Sequence, residues 1–275
     1  METVIPTAPG AEQAAPCSRA LIAKVSVGVL AASATTLLLA LSARSILLVR
    51  PAPTNCDKIL VTNLAGNKKI YKLSSKPGLF FRTDLEVDAD GSPRAYHPTN
   101  DRLALDFKAN GYPWAIVFVR RGQPYIQGPA DPAPGFYVSK TSLENKTKAE
   151  TDPARYVDAE AVPYIVLPPA AMRIGNVKLG DLAAVLNRKN GKSAYAIFAD
   201  IGPRTKLGEG SIALAKALDV NKTPKRGGPA ADVIYIVFPG SGNGKPLPLD
   251  EINRKGTELF TAWGGTDRID ACFPR

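Results

Sequence analysis

The chain has 275 residues, 45% of them hydrophobic, enough for one sizeable core with a tail. Its formal net charge is +10, and about +8 remains once residues 1–50 are set aside. Lys and Arg are scattered through turns such as Asn67-Lys68-Lys69 and Thr223-Pro224-Lys225-Arg226 without a basic-aromatic stripe, so no nucleic-acid partner is expected. A single histidine and three cysteines argue against a zinc site, and neither a metal nor a cofactor is expected.

From the N-terminus, Val25 to Ala43 is a run of nineteen uncharged residues between Arg19 and Lys24 on one side and Arg44 and Arg50 on the other. It reaches the lower end of what crosses a bilayer and fits two readings, a secretory signal cleaved near Leu41-Ser42-Ala43 or an uncleaved anchor. Either leaves the remainder outside the cytoplasm, with this segment as its sole membrane contact. Residues 1–50 are thus read as a tail with a signal or anchor, 51–78 as a linker with N-terminal strands, and 79–275 as the main domain. Cys56 and Cys272 stand at the two ends of that remainder. They are either free thiols or, as an oxidising compartment favours, a bridge contributing roughly 4–5 kcal/mol in the chain-entropy model.

The 24 Pro and 23 Gly favour short strands and turns, and the fold class expected is mainly β with a few short helices, closed as a β-barrel. Strands are expected over Lys58–Leu64, Lys69–Leu73 and from Phe80 into a tight acidic loop at Asp90-Gly91. Asp84, Glu86, Asp88 and Asp90 alternate, so an extended segment puts all four on one face, either a wall that attracts a cationic ligand or a solvated strand face. A calcium loop over 88–91 lacks the closing Glu. His97, next to Tyr96, has no Ser or Cys elbow with it and reads as structural. Trp114–Arg120 reads as a buried strand. The Pro-rich loops that follow carry aromatics such as Tyr137, which either touch sugar rings or pack in the core.

Lys140–Arg155 reads as exposed and Pro163–Leu167 as a strand. Leu182–Asn187 and Ser193–Ala199 pair across an Asn190-Gly191 turn, and the hairpin delivers Asp200 at a strand mouth before Gly202-Pro203 breaks it. Glu209 lies just before a helix capped by Ser211. Val233–Phe238 is a last buried strand. The glycine-rich segment after it is not a phosphate loop, because Pro239 and Pro246 stand where Gly and Ser or Thr are required.

Asp200 and Glu209 are close enough in sequence to meet in one cleft, although each also reads as an ordinary turn residue or helix-dipole partner. FRTDLEVDADGSPRAYHP, PGFYVSKTSL, DPARYVDAEAVPYIVLP, YAIFADIGPRTKLGEGSIALA and VIYIVFPGS together resemble the family 75 glycoside hydrolases, the fungal-type chitosanases, over roughly residues 79 to 241. The resemblance makes 79–275 a chitosanase-like catalytic domain. It implies endo-hydrolysis of chitosan with inversion, and Asp200 and Glu209 match the catalytic pair.

Residue environment alone makes Asp200 the acid, the family is usually read the other way, and both assignments stay open here. A cationic polymer on a basic protein needs an acidic groove, for which Asp84, Glu86, Asp88, Asp90, Asp158 and Glu160 are candidates, with Tyr96, His97 and Tyr137 as further substrate-binding candidates. A strand, Asp, Gly-Pro, loop and small helix in succession also looks like double-psi barrels. That likeness supports two alternatives, a peptidoglycan-active glycosidase or lytic transglycosylase, and a non-catalytic expansin-like binding module.

Overall fold

The computed structural model describes residues 55–274 apart from 65, 108–112 and 205. The apolar stretch 25–43 lies outside the described residues, and among those no helix is long and apolar enough to cross a membrane. In chain order the elements are β1 (Lys58–Leu64), β2 (Lys68–Leu73), β3 (Leu79–Thr83), β4 (Glu86–Asp88), α1 (Pro113–Ile116), β5 (Val119–Arg120) and β6 (Gln123–Pro124). There follow β7 (Tyr164–Leu167), α2 (Pro169–Gly175), β8 (Leu182–Asn187), β9 (Ser193–Ile201), β10 (Glu209–Ser211) and α3 (Ile212–Ala217). The chain closes with β11 (Val233–Phe238), α4 (Leu249–Trp263) and α5 (Gly265–Cys272).

Nine strands form one sheet in the order β1-β2-β3-β11-β8-β9-β7-β10-β4, curled as a half-barrel, so the mainly β expectation with few short helices holds. Two parallel pairs, β7 with β9 and β10 with β4, interrupt an otherwise antiparallel order. The runs YIVL, LAAVLN and VIYIVF are apolar at every position because β7, β8 and β11 are buried on both faces. One face packs Phe80, Tyr164, Leu182 and Ile236 with Ile252, Trp263 and Ile269 of the C-terminal helices. The other packs Phe81, Ile165, Phe198 and Tyr235 with Ala171 of α2 and Leu214 of α3.

The expected hairpin forms, with Leu186 opposite Ser193, and the Ser211 hydroxyl accepts from the Leu214 N–H as the cap of α3. Cys56 and Cys272 are bridged across a sequence separation of 216 residues. Beside them Arg268 pairs with Asp57 at 2.9 Å, so the two ends of the described chain are held by a covalent and an ionic link.

Trp114–Arg120 is not the buried strand expected. Pro113 opens a single helical turn, Trp114 is 52% exposed, and Val117, with Ile116 packed against it, enters a small third cluster with Ala89, Ala95, Tyr96 and Tyr137. The apolar run is long enough for a strand, but a proline at its head starts it in a helical conformation.

Candidate active site

Asp200 and Glu209 meet through a strand that sequence spacing does not reveal. In β7, Val166 pairs with Asp200 of β9 on one side and with Glu209 of β10 on the other, and Glu86 of β4 pairs next with Glu209. Directly paired residues share a face of a sheet, so Asp200, Val166, Glu209 and Glu86 form one row. At the usual strand spacing the backbones of Asp200 and Glu209 are no more than about 10 Å apart.

The row depends on an irregularity in β9. Tyr164 pairs with Ile197 and Ile165 with Phe198, but Val166 then pairs with Asp200, so Ala199 is the extra residue of a bulge. Without it Asp200 would point to the opposite face from Ile197. Two glycines then clear the way. A Cβ on Gly202 would meet Glu209 Oε2 at 2.8 Å and Val166 Cγ1 at 3.0 Å. Gly208, at φ +99, passes so close to the Asp84 carbonyl that a Cβ would lie 2.4 Å from its oxygen.

Asp200 is anchored from the side. Leu143 N–H donates to the Ala199 carbonyl, which lays residues 142–143 along the end of β9. From there Ser142 donates twice to Asp200 Oδ1, through its N–H at 2.8 Å and its hydroxyl at 2.5 Å, and the Ile201 N–H adds a third bond at 2.9 Å. Burial pushes the Asp200 carboxyl up from the ordinary range, and these donors act against the rise.

The acidic strand and loop complete this end. Carboxylate oxygens of Asp88, Asp90 and Asp200 lie within 4.8 Å of one another, close enough to share protons or to hold a cation. Since β7 and β10 lie between β4 and β9, the curl of the sheet must bring their side chains together on this face. Asp90 is 7% exposed and accepts from the Tyr96 hydroxyl at 2.7 Å, while its own N–H donates to Asp88 Oδ1 at 2.9 Å. Tyr164 donates to the Asp90 carbonyl at 2.9 Å. Burial, then the charge of Asp200, pushes Asp88 up to about 7, and burial with the charges of Asp88 and Asp200 pushes Asp90 well above the ordinary range.

The Glu209 end is different. Lys206 Nζ lies 2.5 Å from Glu209 Oε1 and 3.0 Å from Glu86 Oε2. Burial raises the Glu209 carboxyl and Lys206 opposes the rise, with a net shift upward. Glu209, which lies just before the capped helix as its sequence position suggests, opens β10, and its charged partner is the Lys206 ammonium rather than the helix dipole alone.

The remaining candidates are placed as follows. The four-residue acidic face is corrected, because β3 ends at Thr83 and only Glu86 and Asp88 alternate within β4. Asp84 is instead tied to Lys222 at 2.5 Å and to the Ala231 N–H at 2.6 Å. Glu160 pairs with Arg94 at 2.7 Å, and Asp158 accepts from the Glu160 N–H at 2.9 Å. His97 Nδ1 accepts from the Asn100 N–H at 3.0 Å, and its ring stands edge-on to Phe136. Tyr137 is buried in the third cluster. Ser142 and Lys206 join the candidate site although no local pattern marks them, and they lie within PGFYVSKTSL and YAIFADIGPRTKLGEGSIALA.

Residues 132–262, which include Ser142, Asp200, Lys206 and Glu209 but not β4, match the family described as fungal chitosanase of glycosyl hydrolase group 75. No curated protein matches the chain.

Proposed function

We propose that this protein, a glycosyl hydrolase of group 75 over residues 132–262, is an endo-acting chitosanase that cleaves β-1,4 bonds between glucosamine units with inversion. The observation that carries the reading is the row in which Asp200 and Glu209 flank Val166 on one face of the sheet. Inverting hydrolysis needs an acid and a base on opposite sides of a sugar with room for a water, and the strand between Asp200 and Glu209 holds the two carboxyls apart on one face in a way that suits this division.

The local chemistry supports Asp200 as the base and Glu209 as the acid. Three donors converge on Asp200 Oδ1, an arrangement that favours a carboxylate, and Asp88 and Asp90 beside it hold protons more tightly than an ordinary aspartate. Glu209, raised by burial and without the converging N–H and hydroxyl donors that Asp200 has, is the carboxyl on this row suited to give a proton away. In the reaction Glu209 protonates the leaving glycosidic oxygen as the C1–O bond breaks. Asp200 takes a proton from the water that attacks C1 on the opposite face, and solvent exchange restores both groups.

Substrate charge fits the groove. The carboxyl groups of Glu86, Asp88, Asp90, Asp200 and Glu209 gather at one end of the sheet on a protein of net charge +10, and a polycation there is favoured because it stabilises their ionised forms. The bridge between Cys56 and Cys272 supports an extracytoplasmic location, secreted or anchored.

The test is product formation from chitosan and from purified peptidoglycan, side by side, by the wild type, Asp200→Asn and Glu209→Gln. The expected result is oligosaccharide release from chitosan alone, lowered at least 1,000-fold in both variants, since each lacks one half of the acid/base pair. Release from peptidoglycan alone would refute the reading.

A further inference from the structure

Lys206 sits in the active-site row itself, and nothing in the acid/base chemistry requires it there. Its ammonium bridges Glu209 and Glu86 at 2.5 and 3.0 Å, and among the described residues it is the cation paired with Glu86. The arrangement is open to solvent: the Glu86 side chain is 53% exposed and that of Lys206 37%. Lys206 also rides on the loop between β9 and β10, the connection that separates the two proposed catalytic carboxylates in sequence.

We propose that the gap between Glu86 and Glu209 is a subsite for a primary ammonium group, and that Lys206 fills it as a tethered stand-in which a glucosamine ammonium displaces. The inference rests on the chitosanase reading and deepens it by naming the residue that selects a deacetylated sugar next to the scissile bond. The Glu86 carboxylate supplies the charge and Glu209 an acceptor oxygen, and a pair that already holds an alkylammonium has the spacing to hold another. An N-acetylated sugar offers neither a cation nor donors of that geometry, so it leaves Lys206 in place. Glu209 is bound to remain because it does the chemistry; Glu86 is free of that duty and sets the preference. Displaced Lys206 has an acceptor within electrostatic reach in Asp106, whose carboxyl already responds to its charge.

A tethered occupant competes with the substrate, so its removal tightens binding. That sign separates the proposal from a structural role, in which losing Lys206 weakens binding or leaves it alone. The experiment measures calorimetric binding of a glucosamine hexamer and of its fully N-acetylated counterpart to the full chain carrying Asp200→Asn, which blocks turnover. The same chain is then tested with Lys206→Gln or Glu86→Gln added, and melting temperatures check that each variant is folded.

Lys206→Gln is expected to lower the Kd for the glucosamine hexamer about tenfold, the effect of freeing one charge-assisted contact, and to leave the acetylated hexamer unchanged. Glu86→Gln is expected to raise the Kd for the glucosamine hexamer by a similar factor, again without effect on the acetylated one. Unchanged or weaker binding in Lys206→Gln overturns the proposal, as does equal loss of both ligands in Glu86→Gln. Wild-type cleavage of chitosan, measured in parallel, keeps the two readings apart. If the wild type cleaves chitosan and Lys206→Gln binds no tighter, the subsite fails alone; if it neither cleaves nor binds chitosan, both fail.

Discussion

At the β9 end of the groove, Asp88, Asp90 and Asp200 crowd together, and burial with mutual repulsion favours protons on the first two. At the β10 end, Glu86 and Glu209 are no less acidic a pair, but an ammonium lies between them. Two carboxylates near one sugar repel each other's charge and so titrate apart, and their other neighbours decide which of them keeps the proton. Proton-holding neighbours with N–H donors around one, and an ammonium beside the other, put the two carboxyls in unlike electrostatic surroundings. The difference shows that the acid/base assignment depends on the neighbours of each carboxyl more than on its residue type.

The largest perturbation short of removing one of the two proposed catalytic carboxyls is a methyl group at Gly202. Because its Cβ would meet Glu209 Oε2 at 2.8 Å and Val166 Cγ1 at 3.0 Å, Gly202→Ala must push the acid off the row. A displacement of that order is expected to lower kcat on chitosan about 100-fold, with a much smaller change in KM. Steady-state kinetics check it, and an unchanged kcat would mean that Glu209 is not held where the row puts it.

Ser142→Ala acts on the other end and is milder. It removes the hydroxyl 2.5 Å from Asp200 Oδ1 and leaves the two N–H donors. Losing one charge-assisted donor should lower kcat about tenfold. It should also raise the pKa of Asp200, so the acid limb of the pH–rate profile moves to higher pH if Asp200 must be ionised to act. A limb that stays in place would remove Asp200 from the role of base.

Much of the scaffold could be read from the chain alone. VIYIVF and PYIVL have no polar alternation because their strands are covered on both sides, and Asn190-Gly191 fixes the β8–β9 turn. The Ser211 cap is a local device and was legible for the same reason. The facing of Asp200 was not legible, because strict alternation from Ile197 sends it to the wrong side and only the bulge at Ala199 brings it back. Glu209 reads as a helix flank because a three-residue strand has too little pattern to register, and its partners β7 and β4 are remote in sequence. The alternation of Asp84 with Glu86 suggested a common face, but the strand breaks between them and Lys222, 138 residues away, claims Asp84. Glu86 and Lys206 meet for the same reason that no local pattern shows it: their contact exists only when β4 lies against β10.

The remaining effect falls on stability rather than on rate, and it isolates the proton-sharing end. Asp88 is raised to about 7 in the fold, against about 3.9 for an unfolded aspartate, so the folded state binds its proton more tightly. Stability from this group is therefore fully present below about pH 4 and is lost as pH rises toward 7, where the fold must carry an ionised Asp88 beside Asp90, Asp200 and Glu209. Asn at this position keeps an oxygen to accept from the Asp90 N–H, now 2.9 Å from Asp88 Oδ1, and carries no charge at any pH. The melting temperature of Asp88→Asn relative to wild type should thus climb between pH 4 and 8. The rise from about 3.9 to about 7 corresponds to about 4 kcal/mol at pH 8, so the gain is of the order of a few kcal/mol and the melting temperature rises by several degrees. Since neighbouring carboxyls redistribute protons among themselves, the climb should be broader than a single titration. A difference that stays constant across that range would mean that Asp88 is ionised in the fold throughout, and the contrast between a proton-held and a cation-held carboxylate would collapse.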